Sequence, residues 1–321
     1  MAYYDVFNGD ADGLCALLQL RLAEPVESQL ITGVKRDIQL LQQVTASAGD
    51  SITVLDISLA ENRADVLRLL DQGAYIFYCD HHQFGELPQH AHFTSRINTD
   101  ANVCTSLLIN GYLQGRFPLW AIVGAFGDNL RQSAEALAQS QGLSASQLQQ
   151  LEQLGVQLNY NAYGDTLADL HFHPAYLYQT LADYHSPLDF IAQQAHLRQQ
   201  LADAYQQDIR QAASLSADFE NAYSAVYLLP NASWARRVSG VFANDLANAA
   251  PDKAHAVLSV QDDNSYRVSV RAPLNNKQGA ASVCSQFASG GGREAAAGIN
   301  RLVEADLQRF ITLFSRHYAT Y

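Results

Sequence analysis

Four stretches of this sequence gather acids and imidazoles where a metal ion and a phosphate could meet. They are NGDADGL with Asp10 and Asp12, LDIS with Asp56, CDHH with Asp80, His81 and His82, and GAFGDN with Asp128. A divalent cation that activates water needs several hard anionic ligands held rigidly. Asp10 and Asp12 stand two apart on an extended segment, and Gly9 and Gly13 beside them allow a tight backbone. Asp56 can bridge two ions through its two oxygens, His81 adds a nitrogen ligand, and Asp128 adds another carboxylate. A mixed Asp/His set suits manganese or cobalt, whereas magnesium favours oxygen ligands with several waters. Each piece has a plainer reading. D-A-D-G is most often a turn, Asp56 could cap the helix entered through Ser58, and a lone strand-end His is most often structural. The combination outweighs these readings because the acids fall at the ends of candidate strands in one unit.

The elements that must position these groups alternate along the first part of the chain. YYDVF, QLITGV, SITVLDIS and AYIFYCDHH read as strands, and GLCALLQLRLAE, RDIQLLQQV and NRADVLRLLDQG read as helices. WAIVGAFGDN reads as a strand or a helix. Such alternation predicts a mostly parallel sheet covered on both faces, with ligands outside the carboxyl ends of its strands. From about Ser133 to Ser216 the chain is Gln-, Ala- and Leu-rich and mainly helical, with LDFIAQQAHLRQQLADAYQQDIRQAASL as one long helix. Beyond Ala222 the pattern changes. AYSAVYLLP, HAVLSVQ and SYRVSVRAP read as strands, ARRVSGVFANDLANAA and GAASVCSQFA as helices, and SGGGREAAAGI as a glycine-rich turn. The expected architecture is α/β in two domains. Residues 1–190 hold the parallel sheet flanked by helices, 191–222 form a helical connector, and 223–321 form a smaller C-terminal α/β domain.

Composition limits the partners. The 321 residues carry a formal net charge of -12, with 48% hydrophobic and 16% charged residues, so the chain can build true cores. An acidic surface repels long polyanions, because phosphate-backbone affinity depends on Lys and Arg. No long nucleic acid is expected, and no membrane, since no apolar run approaches the roughly 18 residues of a spanning helix. The four cysteines, Cys15, Cys79, Cys104 and Cys284, form no C-x-x-C pair and fit a reducing compartment. The first residues lack a signal-peptide pattern, so the expected location is the cytoplasm. The oligomeric state is left open, a homodimer included.

The N-terminal part resembles the DHH phosphoesterase superfamily, whose name is the tripeptide Asp80-His81-His82. NGDADGL, LDIS, CDHH and GAFGDN match its motifs in order. VSVRAP and GGGREAAAG resemble the DHH-associated domain of the superfamily's short-oligonucleotide hydrolases. The likeness covers nearly the whole chain, least clearly residues 133–222. It implies two manganese ions, with cobalt or magnesium as substitutes. Asp10 and Asp56 would hold one ion, and Asp12, Asp56, His81 and Asp128 the other. Asp80 would orient His81, His82 would contact phosphate, and water activated between the ions would attack phosphorus in line. One departure stands out. Much of the family begins the first motif with His and some members with Asp, where this chain has Val6 and Asn8. Val6 cannot ligate, and the Asn8 carbonyl oxygen is a weaker ligand than a carboxylate. The departure implies a looser first ion, a need for added manganese, and sensitivity to Asn8→Ala.

The second half supplies candidate substrate groups. Gly290, Gly291 and Gly292 let a ligand approach the backbone, and Arg271 on the preceding strand could pair with a terminal phosphate. The plainer readings are a flexible loop and an exposed strand residue. The family usually carries His after the glycines, where this chain has Arg293, a residue type that reads guanine bidentately or binds phosphate. Lys35 and Arg36 are phosphate partners or a solvated pair, and Arg131 beside Asp128 is a further phosphate candidate. NYNAYGD offers aromatics for base stacking or a helix-ending turn. His171 and His173 in HFHP read as packing or surface residues. The expected function is metal-dependent hydrolysis of very short oligoribonucleotides to nucleoside 5′-monophosphates, with a linear 5′-phosphorylated dinucleotide such as pGpG as substrate. The alternatives are a 3′,5′-bisphosphate nucleotide phosphatase, a cyclic dinucleotide hydrolase, and a nucleotide-binding sensor with impaired chemistry.

Overall fold

The computed structural model describes residues 1–319. The chain divides into two compact units, Met1–Ala204 and Tyr205–Tyr321, at a point within one helix.

The first unit begins with β1 (Tyr3–Phe7), α1 (Ala11–Ala23), β2 (Gln29–Thr32), β3 (Ser51–Leu55), α2 (Leu59–Asp71), β4 (Tyr75–Asp80) and β5 (Phe93–Ile97). The strands pair in parallel, in the order β2-β1-β3-β4-β5. Side chains alternate across each strand. Tyr4, Val6, Ile52, Val54 and Tyr78 therefore face one side, where they form a core with Val66, Leu69 and Leu70 of α2. Phe7, Leu55 and Cys79 face the other side, against α1 and the helices that follow. The order reverses direction between β1 and β3, the place where an open α/β sheet leaves a crevice at its carboxyl edge.

Helices complete the unit: α3 (Thr105–Tyr112), α4 (Pro118–Gly127), α5 (Arg131–Ser140), α6 (Ala145–Ala162), α7 (Pro174–Leu181), α8 (Pro187–Gln193) and α9 (Ala195–Ala213), which runs on into the second unit. The ambiguous WAIVGAFGDN is α4, which is buried from Trp120 to Gly127 and so shows no polar face in its sequence. The long helix expected from Leu188 to Leu215 is broken. Gln194 leaves the helical region at φ -102° and ψ 49° and separates α8 from α9. RDIQLLQQV forms only a short 3-10 helix, Leu40–Gln43. Strand β5 has no clear signal in the sequence, because FTSRI is a part-exposed edge strand without a continuous apolar face.

The second unit contains β6 (Phe219–Glu220), β7 (Ser224–Leu229), α10 (Ser233–Ala249), β8 (Ala254–Val260), β9 (Tyr266–Arg271), α11 (Ala280–Cys284), β10 (Gly290–Gly292), β11 (Ala296–Leu302) and α12 (Leu307–Ala319). Its sheet has the order β10-β11-β9-β8-β7-β6, with β7 and β8 parallel and the other pairs antiparallel. The core combines Val226, Leu258, Val268, Ile299, Phe310 and Phe314. The glycine-rich segment is an edge strand rather than a turn: Gly290 to Gly292 pair with Ile299 to Ala297. All four cysteines are free and buried. No helix among the described residues is long and apolar enough to cross a membrane.

Candidate metal centre

The strand ends of the first unit deliver acids to its carboxyl edge. Asp10 caps α1, its Oδ1 accepting the N–H groups of Asp12 and Gly13 at 3.0 and 3.1 Å. Asp12, in the first turn of α1, accepts N–H bonds from Thr105 at 2.7 Å and Ser106 at 2.8 Å. These are the first two residues of α3, and a helix N-terminus leaves such amides without partners inside the helix. Asp56, directly after β3, holds a left-handed φ of 61°. For a non-glycine residue that conformation costs about 1–3 kcal/mol, and such strain collects at functional sites. The Thr105 hydroxyl donates to Asp56 Oδ1 at 3.1 Å. Asp128 sits at the C-terminal cap of α4.

His81 brings three of these acids together. Its Nδ1 lies 3.0 Å from the Val103 carbonyl oxygen, an acceptor, so the proton belongs on Nδ1. The free lone pair of Nε2 then points at Asp56 Oδ1 at 3.4 Å, Asp128 Oδ2 at 3.7 Å and Asp12 Oδ2 at 3.9 Å. An octahedral ion with bonds of about 2.1 Å sets neighbouring donors about 3 Å apart and opposite ones about 4 Å apart. Two sets of donors lie close enough together to hold an ion, Asp12–His81–Asp128 and Asp56–His81–His82, and both include His81.

The electrostatics agree. Burial, followed by Asp12, Asp10 and Asp128, pushes the Asp56 carboxyl well above the usual carboxylate range. Burial and Asp12 push Asp128 up to about 6, against the pull of Lys35. Carboxylates crowded this way are relieved by a bound cation.

Lys35 enters the same cluster. Its Nζ bonds Asp10 Oδ2, reaches Asn159 Oδ1 at 3.1 Å, and lies 3.7 Å from Asp128 Oδ1. Burial alone would lower the ammonium, but Asp10, Tyr163 and Asp128 hold it well above its ordinary range. Asp10 responds in the opposite sense: burial raises its carboxyl, and Lys35 outweighs burial and leaves it lowered.

Three expectations about this site are corrected. Asp80 orients His82, not His81: its Oδ1 lies 2.7 Å from His82 Nδ1. Residues two apart at a strand end fall on the same side, so Asp80 reaches His82 while His81 faces away towards Val103. Asn8 does not present its oxygen to a metal. Its Oδ1 accepts the Asp10 N–H at 3.2 Å and its Nδ2 donates to the Lys35 carbonyl at 3.2 Å, so the amide is engaged by backbone. Arg131, expected near phosphate, opens α5 as an exposed side chain paired with Glu135 at 3.2 Å and with Glu152. His171 pairs with the Tyr160 hydroxyl at 3.0 Å, and His173 caps α7 by accepting the Ala175 N–H at 3.1 Å, so both are structural.

Thr105, Ser106, Val103 and Asn159 join the site without a signal in the motifs. Val103 and Ser106 act on it through backbone atoms, which a sequence does not mark, and Thr105 acts through its N–H and its hydroxyl. Asn159 stands on α6, and the signal that could have found it is its place in the NYNAYGD segment.

In the second unit, the Arg271 guanidinium donates to Asn244 Oδ1 at 2.7 Å and Ser269 Oγ at 2.9 Å. Arg293 is exposed in the turn between β10 and β11. Gly290 is required by packing, since a Cβ there would lie 1.8 Å from the Cys284 carbonyl oxygen. Gly292 has φ 138°, whereas a Cβ on Gly291 would meet nothing within 4 Å.

Solved structures share this fold. Residues 220–319 match the model of the DHHA1 domain. No curated protein sequence matches the chain. Among solved structures, an exonuclease RecJ bound to manganese superposes with a TM-score of 0.65 at 16% identity, covering 100% of this chain and 90% of that one. RecJ of Thermus thermophilus in complex with Mn2+ gives 0.59 at 16% identity, over 100% of this chain and 52% of that one. A pGpG-specific phosphodiesterase, PggH from Vibrio cholerae, gives 0.54 at 14% identity, over 98% of this chain and 99% of that one. Residues 220–319 therefore match a DHHA1 domain, and the chain as a whole has the fold of these solved structures.

Proposed function

We infer that the protein is a metal-dependent phosphodiesterase that cleaves very short 5′-phosphorylated oligoribonucleotides, with linear pGpG as the preferred substrate. The observation that carries this reading is the convergence of Asp12, Asp56 and Asp128 on the free Nε2 of His81 at the carboxyl edge of a parallel sheet. Those four side chains would hold a divalent cation, with manganese favoured by the mixed oxygen and nitrogen set. When bound, such an ion neutralises charge on phosphoryl oxygens and acidifies water.

The residues around the cluster have separate tasks. Asp56, its carboxyl pushed up by burial and by the neighbouring acids, would be relieved by a bound cation. His82 is half exposed and fastened by Asp80, which leaves its Nε2 free to donate to a phosphoryl oxygen. Burial lowers the His82 imidazole, but the hydrogen bond and charge of Asp80 raise it overall, so it carries a proton more readily than an ordinary histidine. By its residue type, Arg293 of the second unit is a candidate contact to guanine or phosphate. A net charge of -12 disfavours long polyanions, and the likeness in fold to a protein described as pGpG-specific supports the dinucleotide.

The test is a panel of pGpG, pApA, longer 5′-phosphorylated oligoribonucleotides, cyclic di-GMP and a 3′,5′-bisphosphorylated nucleotide, with and without manganese, resolved by chromatography. The expected result is conversion of pGpG to GMP only with metal, with rates falling as length grows. Preferential release of inorganic phosphate from the bisphosphate, or binding of pGpG without turnover, would replace this reading.

A further inference from the structure

The resemblance implies two metal ions, but both donor sets close enough to hold one depend on His81, whose Nδ1 is taken by the Val103 carbonyl and whose Nε2 can serve one ion. Of Asp10 and Asp56, which would hold the other, Asp10 is engaged by a side-chain cation. Asp10 uses Oδ1 to cap α1 and Oδ2 to bind the Lys35 ammonium. Asn8, at the position where the family has a stronger ligand, is turned to backbone. Asp128 spans both places, with Oδ2 towards His81 and Oδ1 3.7 Å from Lys35 Nζ. Lys35 is built in. Its own N–H donates to the Ala162 carbonyl at 2.9 Å, its Nζ is shared with Asn159, and it lies 5.7 Å from the centre of the Tyr163 ring. Asp10 Oδ2 thus meets an ammonium where the two-ion arrangement needs a divalent ion. The two cations exclude each other by charge and by volume.

We propose that this protein binds a single divalent ion, through Asp12, Asp56, His81 and Asp128, and that the Lys35 ammonium stands as a fixed cation in the place of the second ion. This builds on the metal-dependent function inferred above. It explains together why the first motif tolerates Val6 and Asn8, and why a lysine bonds Asp10 and lies 3.7 Å from Asp128. A fixed ammonium carries half the charge of the ion it replaces and cannot be removed by a chelator. The substrate would therefore meet one exchangeable and one covalently attached cation.

The experiment is manganese binding to the full chain, read by equilibrium dialysis with elemental analysis and by electron paramagnetic resonance. The expected result is one ion per wild-type chain, with the resolved hyperfine pattern of an isolated manganese ion. Lys35→Ala is expected to take up a second equivalent and to show the broadened spectrum of a coupled pair. Should that variant not fold, Lys35→Gln, which keeps much of the stem, makes the same comparison. Lys35→Arg is expected to remain at one. Two coupled ions in the wild type would overturn the lysine's role and leave the metal-dependent function standing. No bound manganese in the wild type would overturn both. A Lys35→Ala or Lys35→Gln chain that folds but still holds one ion would show that the ammonium does not keep the second place.

Discussion

At the scale of single residues, the CDHH tripeptide splits into two devices. His81 turns to the Val103 carbonyl and offers Nε2 to the acids, while His82 is fixed by Asp80, which is fully buried. Asp80→Asn is expected to lower kcat about 10–100-fold, because the partner that sets the ring's tautomer and charge is lost, while manganese affinity stays unchanged. His82→Ala should give a similar loss, and the double variant little more than either alone, since both act through one group. Turnover at saturating manganese and a separate metal titration check this. A parallel fall in metal affinity for Asp80→Asn would mean that Asp80 serves His81 after all. The acids and His81 are legible in the sequence because type, spacing and strand ends coincide. The partner of Asp80 is not, because adjacency suggests His81 whereas strand alternation selects His82. Lys35 gives no signal of its own: a lysine after a strand looks alike whether it meets water or aspartates.

At the scale of elements, the parallel strands stand out by their apolar runs and the helices between them by their spacing. What stays hidden lacks a distinctive period. Helix α4 is buried all round, β5 has a part-exposed edge pattern, and Gln194 breaks a helical stretch without proline or glycine. The glycine run shows the same limit, because three identical residues do three different things. Gly290→Ala is expected to destabilise the second unit by roughly 1–3 kcal/mol, since its Cβ would lie 1.8 Å from the Cys284 carbonyl oxygen. Gly291→Ala, facing open space, should change stability by less than about 0.5 kcal/mol and weaken nucleotide binding if backbone there approaches a ligand. Urea denaturation and nucleotide titration of both variants separate the two effects.

At the scale of the whole molecule, each unit has its own core. In the second unit, burial and then Lys253 lower the His255 imidazole from 6.5 to about 4. The folded state thus keeps His255 neutral where the unfolded chain would protonate it. Its stability contribution is fully present above about 6.5 and is lost as the pH falls towards about 4. The loss is at most about 3–4 kcal/mol, and smaller to the extent that solvent screens the imidazole. His255→Gln should flatten that part of the stability profile in denaturant titrations across the range. A variant with an unchanged acid slope would assign the slope to other groups.

Helix α3 owes its first two amide bonds to a carboxylate far upstream in the chain, for Asp12 accepts from both Thr105 and Ser106. The start of that helix and the cluster are consequently one object. Whatever steadies or loosens the aspartate is transmitted across the long stretch of chain between them, and a change of ionic occupancy at the sheet edge becomes audible as altered amide exchange at the head of α3.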